Sequence, residues 1–318
     1  MIISASRRTD IPAFYSTWLR NRLLARRVLV RNPFNRRQVA DISLDPSVTD
    51  ALVLWTKNPA PLVPYVAEIE AMGFPLFIQY TITGCSQQLE PYLPERAQRI
   101  ESFRQCAEML GPGRVHWRFD PIVFTQTLTP AHYLQQFGQL VQLLQGYTTQ
   151  CTTSFVSLYT KCRRNLRDIA LVDPGESAKQ ELIAKMNAIS SRSGIRLQGC
   201  CDPFLTAHCG VDQAHCIDAR EIGQSLGKNF QVKKDAGQRS GCGCSQSIDI
   251  GAYDSCTHGC LYCYANTSHT RATANLAQHD PHSPLLLGTL RGDETLHKRQ
   301  VHSLQIRQGA LFDIDPQK

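Results

Sequence analysis

Three cysteines stand at a spacing suited to metal chemistry: Cys256, Cys260 and Cys263, in the stretch SCTHGCLYCYA. The pattern is C-x3-C-x2-C, with the aromatic Tyr262 just before the last cysteine. Thiolates this close can hold three irons of a cubane cluster from one loop and leave the fourth iron to an exogenous ligand. A zinc knuckle closes instead with a fourth ligand, here His258, His269 or a distant cysteine. A second constellation lies upstream. Cys242-Gly243-Cys244 puts two thiolates one residue apart, with a glycine that relieves their crowding. With Cys216 and one of Cys200 or Cys201 they make a four-cysteine set for an auxiliary [4Fe-4S] cluster or a zinc ion, with Cys209 in reserve. The other cysteines, Cys85, Cys106, Cys151 and Cys162, are scattered and read as ordinary thiols.

These groups need elements to position them. Short apolar runs alternate with helical patterns along the chain. Strands are expected from Ile2 to Ser4, Ala51 to Trp55, Pro75 to Ile82, Val115 to Phe119, Thr153 to Tyr159, Ile195 to Gln198 and Ile248 to Ile250. Helices are expected from Ala13 to Arg27, Leu62 to Met72, Pro94 to Leu110, Pro130 to Leu144 and Ser177 to Ser191. Such alternation predicts an α/β fold with a parallel sheet and helices outside, a TIM-like barrel or one left open. Reactive groups then sit on the loops after the strands. Arg7 and Arg8 follow the first strand and suit a carboxylate or phosphate of the substrate, or an internal salt bridge to Asp10. Lys57 and Asn58 follow the second, and Arg118 and Asp120 end the fourth; all four are candidates for lining a cofactor or substrate pocket. The cysteine triad follows the seventh strand. Closing the sheet would bring that strand beside the first, so the barrel reads as circularly permuted, with its metal-bearing strand last.

The triad with its aromatic resembles the signature of the radical S-adenosylmethionine (SAM) superfamily. That resemblance implies a [4Fe-4S] cluster on Cys256, Cys260 and Cys263, with SAM on the open iron and Tyr262 near its adenine. It implies reductive cleavage of SAM to a 5′-deoxyadenosyl radical, which takes hydrogen from a substrate, and an electron donor of flavodoxin or ferredoxin type. Most of the superfamily carries its triad near the N-terminus, whereas here it comes after some 250 residues. The stretches SRRTDIPAFY, WTKNP, RFDP, KKDAGQR, CGC, SIDIGAY and CTHGCLYCYAN together resemble an uncharacterised bacterial domain family with a late triad of this kind. WTKN and RFDP also resemble, distantly, stretches of spore photoproduct lyase-type proteins, which keeps a nucleic-acid substrate in view.

Composition sets the outer bounds. A chain of 318 residues with 42% hydrophobic and 19% charged residues is globular. No apolar run approaches the roughly 20 residues that span a bilayer, and the N-terminus lacks the layout of a signal peptide, so a cytoplasmic protein with no membrane partner is expected. Thirteen cysteines in a reducing compartment favour metal ligation over disulfides. The net charge of +7 gathers among the arginines of the first 37 residues. Such a segment can meet nucleic acid, or it can be a solvated helix face. A zinc-binding, nucleic-acid-interacting protein without redox chemistry is therefore the competing expectation. Residues 1–269 read as one domain, and 270–318 as an extended tail packed on its surface, with Leu311 and Phe312 as an anchor.

Overall fold

The computed structural model describes residues 1–239 and 241–306. Its strands are β1 (Ile2–Ala5), β2 (Arg27–Arg31), β3 (Gln38–Ser43), β4 (Ala51–Thr56), β5 (Leu76–Thr81), β6 (Val115–Ile122), β7 (Gln150–Phe155), β8 (Arg196–Gly199), β9 (Asp212–Gln213), β10 (Ile248–Asp249) and β11 (Thr295–Lys298). Eight of them form one sheet in the order β10-β1-β4-β5-β6-β7-β8-β9. Every pairing in it is parallel. The register joins Ile3 to Ile248 and Leu52, so β1 sits between β10 and β4.

A parallel sheet covered on both faces needs apolar residues at successive positions, and β1, β4 and β5 supply them. Ile3, Leu52, Leu54, Leu76 and Ile78 belong to the main core. Ile2, Ala51, Val53 and Phe77 point to the other face, against Cys216, Ile217, Ile222 and Cys244. The principal covering helices are α1 (Ile11–Phe14), α2 (Ser16–Leu24), α3 (Val66–Ala71), α4 (Arg96–Leu110), α5 (Pro130–Leu144), α6 (Thr160–Asn165) and α7 (Glu176–Arg192). Local chemistry starts several of them: the Asp10 carboxylate accepts from Ala13 N, Thr129 Oγ1 accepts from His132 N, and Pro12 and Pro130 occupy first-turn positions. Three further helices follow among the described residues, α8 (Pro203–His208), α9 (Ala219–Ser225) and α10 (His269–Ala277).

The sheet does not lie flat. Four strands separate β7 from β10, yet the loops after them touch: the Cys162 thiol donates to Tyr262 O at 3.1 Å, and the rings of Tyr159 and Tyr264 lie 5.9 Å apart.

Three stretches differ from expectation, the first being the strand expected from Thr153 to Tyr159, which runs instead from Gln150 to Phe155 with Tyr159 at the start of α6. The helix expected from Ala13 to Arg27 is two short helices broken at Tyr15, and Arg27 and Arg31 lie on β2. Arg27 and Arg31 bracket the apolar run Val28-Leu29-Val30 there, and β2 pairs antiparallel with β3. The described part of the segment after residue 269, up to 306, is woven into the fold instead of lying extended on it. It forms α10, and β11 pairs in parallel with β3. Trp18 Nε1 donates to Ser283 O at 2.9 Å, and Leu285 is buried with Leu29 and Val39. The proposed anchor at Leu311 and Phe312 lies outside the described residues. The N-terminal arginines do not form a single basic face. Arg20 pairs with Glu68, Arg26 with Asp45, Arg27 with Asp41 and Arg31 with Glu294.

Candidate active site

The triad loop leaves β10 at the carboxyl edge of the sheet. Asp249, the last residue of β10, holds the neighbouring β1 loop in place. Its carboxylate accepts from Ser4 Oγ, Ser6 Oγ and Arg7 N, each at 2.8 Å, and from Gly251 N at 3.0 Å. Gly251 has no room for a side chain, since a Cβ there would lie 2.0 Å from Ser6 Oγ. Further on, Gly259 sits at φ +69° with the Tyr92 ring where its Cβ would be, at 2.4 Å. Asp10 reaches the loop from α1: its carboxylate accepts from Lys57 N at 2.7 Å and meets His258 Nε2 at 2.8 Å. Tyr15 donates from its hydroxyl to Ser255 O at 2.6 Å.

The three thiols are half-buried and share one surrounding. Burial pushes all three up from the ordinary thiol value, and Asp10 adds to the effect at Cys256. At Cys260 the Lys57 ammonium opposes burial, and at Cys263 the backbone N–H groups of Ala265 and Asn266 do so. Ala265 N lies 3.3 Å from Cys263 Sγ. Buried polar atoms without a partner gather here too: Thr9 Oγ1, His258 Nδ1 and Asn266 Oδ1. Such a set suits a thiolate-held cluster with a polar ligand beside it, because the loop N–H groups can donate to sulfur and the orphaned atoms have bonds left to make.

Behind the triad lies a buried ionic network. Lys57 Nζ and Thr83 Oγ1 donate to Glu90 Oε1 at 2.7 and 2.9 Å, and the Tyr262 hydroxyl donates to the same oxygen. Burial alone would raise the Glu90 carboxyl, but Lys57 foremost, with Tyr262, holds it below the usual value. Lys57 Nζ also lies 5.5 Å from the Tyr262 ring centre. Glu90 carries no sequence signal, since it sits in an irregular stretch between β5 and α4. The same holds for two of the scattered cysteines. Cys162 touches the triad loop at Tyr262 O, and Cys85 faces Glu90 and Lys57 with its thiol pushed up to about 12 by burial.

The other candidates separate into groups. Asn58 turns back on its own loop, its Oδ1 accepting from Ala60 N at 3.3 Å. Arg118 and Asp120 pair with each other, and Arg118 Nη1 donates to Cys216 Sγ at 2.8 Å, which places them at the second cysteine set. Arg7 stacks on Trp55 at 4.7 Å and donates to Ser247 Oγ at 3.3 Å. Arg8 pairs with Asp249 at 3.8 Å and not with Asp10.

The second set lies on the face of the sheet opposite the main core. Cys200 Sγ and Cys216 Sγ are 3.7 Å apart, and Cys216 and Cys242 each meet Cys244. The Cys200 and Cys244 thiols, then Arg118 and Arg7, draw Cys216 well below the ordinary thiol value against its burial. At Gly243 a Cβ would meet His215 Nε2 at 2.4 Å, so a side chain there would have to push the half-exposed imidazole aside. Cys201 points toward Gly241, and Cys209 ends α8 against the main core. The sulfurs meet in succession, and among the described residues no three Cys, His, Asp or Glu side chains are arranged to hold a single ion as they stand. Nor, among them, is any helix long and apolar enough to cross a membrane.

The model of a family described as a domain of unknown function, DUF1848, matches residues 2–265. No curated protein and no solved structure matches the chain.

Proposed function

The chain belongs to the DUF1848 family, whose description assigns no reaction, and we propose from its own residues that it is a radical SAM enzyme. The observation that carries the reading is the triad loop. Three thiols leave one loop at the carboxyl edge of a parallel sheet, with N–H donors, orphaned polar atoms and the Lys57 ammonium around them. Cys256, Cys260 and Cys263 would hold a [4Fe-4S] cluster. When bound with SAM, the cluster supplies the electron that splits SAM to methionine and a 5′-deoxyadenosyl radical, which removes hydrogen from the substrate.

The chain's own groups set up that chemistry. Glu90 orients both Lys57 and Tyr262, so the ammonium stays charged beside Cys260. Lys57, His258 and Asn266 are the polar groups near the triad that would meet the amino-acid end of SAM. The loops after β7 and β10 meet beside the triad, at Cys162 and Tyr262 and at the rings of Tyr159 and Tyr264. The pairing of β10 with β1 supports a partial, TIM-like barrel that is circularly permuted, with the metal-bearing strand the last in sequence of the eight-stranded sheet and first in its order. The electron would come from a donor of flavodoxin or ferredoxin type.

For the second set, Cys200, Cys216, Cys242 and Cys244 are the ligand group, either as an auxiliary [4Fe-4S] cluster or as a zinc site.

The test is anaerobic reconstitution with iron and sulfide, then SAM and dithionite. 5′-Deoxyadenosine is expected, together with about four irons per chain that the Cys260→Ala variant lacks. A reconstituted sample with zinc alone and no deoxyadenosine overturns the reading.

A further inference from the structure

The mouth above the triad carries features that neither the cluster nor SAM requires. Three tyrosines stand exposed there: Tyr159 at 42%, Tyr253 at 38% and Tyr264 at 46%. In a folded chain large rings are mostly covered, so three together mark a contact surface. They come from two sides. Tyr159 ends the loop after β7, and Tyr253 and Tyr264 flank the triad on the loop after β10. Tyr264 adjoins Cys263, and its hydroxyl donates to Arg7 O at 3.0 Å.

Cations are interleaved with these rings. Arg8 and Lys161 lie 5.5 and 5.4 Å from the Tyr253 ring centre. Arg239 Nη1 donates to Tyr159 OH at 3.0 Å. Arg163 and Arg164 follow on α6, donating to the carbonyls of Leu158 and Thr267. Among the described residues, Lys161, Arg163, Arg164 and Arg239 reach carbonyls and tyrosines, and none of the four is ion-paired with a carboxylate. This is the reverse of the N-terminal arginines, whose charge is mostly spent internally. Four cations that no carboxylate neutralises therefore stand at or beside this mouth.

Exposed rings between unneutralised cations make the combination that recognises bases and phosphates together, the rings stacking on the bases and the cations tracking the backbone. We infer that the mouth binds single-stranded nucleic acid and presents one of its nucleotides to the triad. Single strands suit it better than duplex, because a stacking platform needs an unpaired base face. The inference rests on the proposed reaction only in taking the triad as the place where the bound nucleotide is used.

The test is fluorescence anisotropy of a labelled ten-nucleotide single strand with the anaerobically reconstituted protein, over a salt series. Binding is expected with a slope of about −3 in log K against log salt, as for four phosphates met by four cations. Tyr159→Ala or Tyr253→Ala is expected to weaken it about 5- to 150-fold, the range for loss of one stacked base. The double variant Lys161→Ala/Arg164→Ala is expected to flatten the slope by about 1.4. Circular dichroism and the iron content of each variant check that it is folded and loaded. No binding by loaded wild type overturns the inference, as does binding indifferent to all these substitutions. A mononucleotide that binds as tightly as the strand overturns it in favour of a small-molecule substrate. A wild type that binds the strand but forms no deoxyadenosine counts against the radical reaction and leaves this inference standing.

Discussion

Replacing Glu90 with glutamine removes one charge and almost no volume, so it isolates what the ion pair behind the triad contributes. Lys57 Nζ lies 2.7 Å from Glu90 Oε1, and the two side chains are 14% and 3% exposed. At an effective dielectric constant of about 20, charges at that separation attract by about 6 kcal/mol before desolvation. Glutamine still accepts from Thr83 and Tyr262, so the cost falls on Lys57, left as a buried cation without a counter-charge. That cost has a ceiling: the amine can shed its proton, which at pH 7 takes about 4.6 kcal/mol from an ordinary lysine value near 10.4. The expected loss in stability is thus about 3–5 kcal/mol, the range for breaking a buried pair from one side. Lys57→Met/Glu90→Gln, with neither charge, is expected to recover most of it. Urea titration followed by circular dichroism at pH 7 gives the values, and the cycle of single and double variants gives the coupling. The pH dependence has a definite sign. Because the folded Glu90 carboxyl is held below its ordinary value, its contribution is full above about 4.5 and lost as pH falls through the depressed folded value. Glu90→Gln should show no such loss in that window. A cost under about 1 kcal/mol, or single-variant costs that simply add, would refute the argument.

Two further outcomes follow from local geometry. Gly259→Ala meets both a left-handed backbone and the Tyr92 ring, and is expected to lose about 1–2 kcal/mol from φ alone. Adding Tyr92→Ala should restore the space and leave the backbone cost; full recovery in urea titration would show that φ does not matter there. Cys106 is fully buried, with its thiol pushed up to about 12 by burial. In the native protein at pH 8 iodoacetamide should leave it unmodified while labelling the half-buried Cys209, and mass spectrometry showing equal labelling would contradict that burial.

Much of the architecture was legible. The apolar runs at Ala51–Thr56 and Leu76–Thr81 are continuous because both sheet faces are covered, and that pattern identifies a parallel strand without any tertiary knowledge. The pairing of β10 with β1 was also foreseeable, since closing a parallel sheet brings its last strand beside its first. The small sheet was not legible. β2 and β3 are flanked by arginines whose partners, Glu68, Asp45 and Glu294, lie far off in sequence, so the charges read as one basic face when the fold disperses them.

By itself the sequence determined the thiol triad, its spacing and the class of element that carries it, because ligand spacing within one loop and strand periodicity are local properties. It also marked Gly243 as a gap between two cysteines, though not what fills that gap. Only the tertiary structure decided which groups surround the triad. Glu90 joins Lys57 and Tyr262 across separations of 33 and 172 residues, and Asp10 reaches His258 across 248. It also decided between Cys200 and Cys201 as the neighbour of Cys216, and moved Arg118 and Asp120 to that second set. Burial, counter-charge and sulfur contact depend on what lies across the fold, and adjacent residues such as Cys200 and Cys201 face different surroundings that no local pattern encodes.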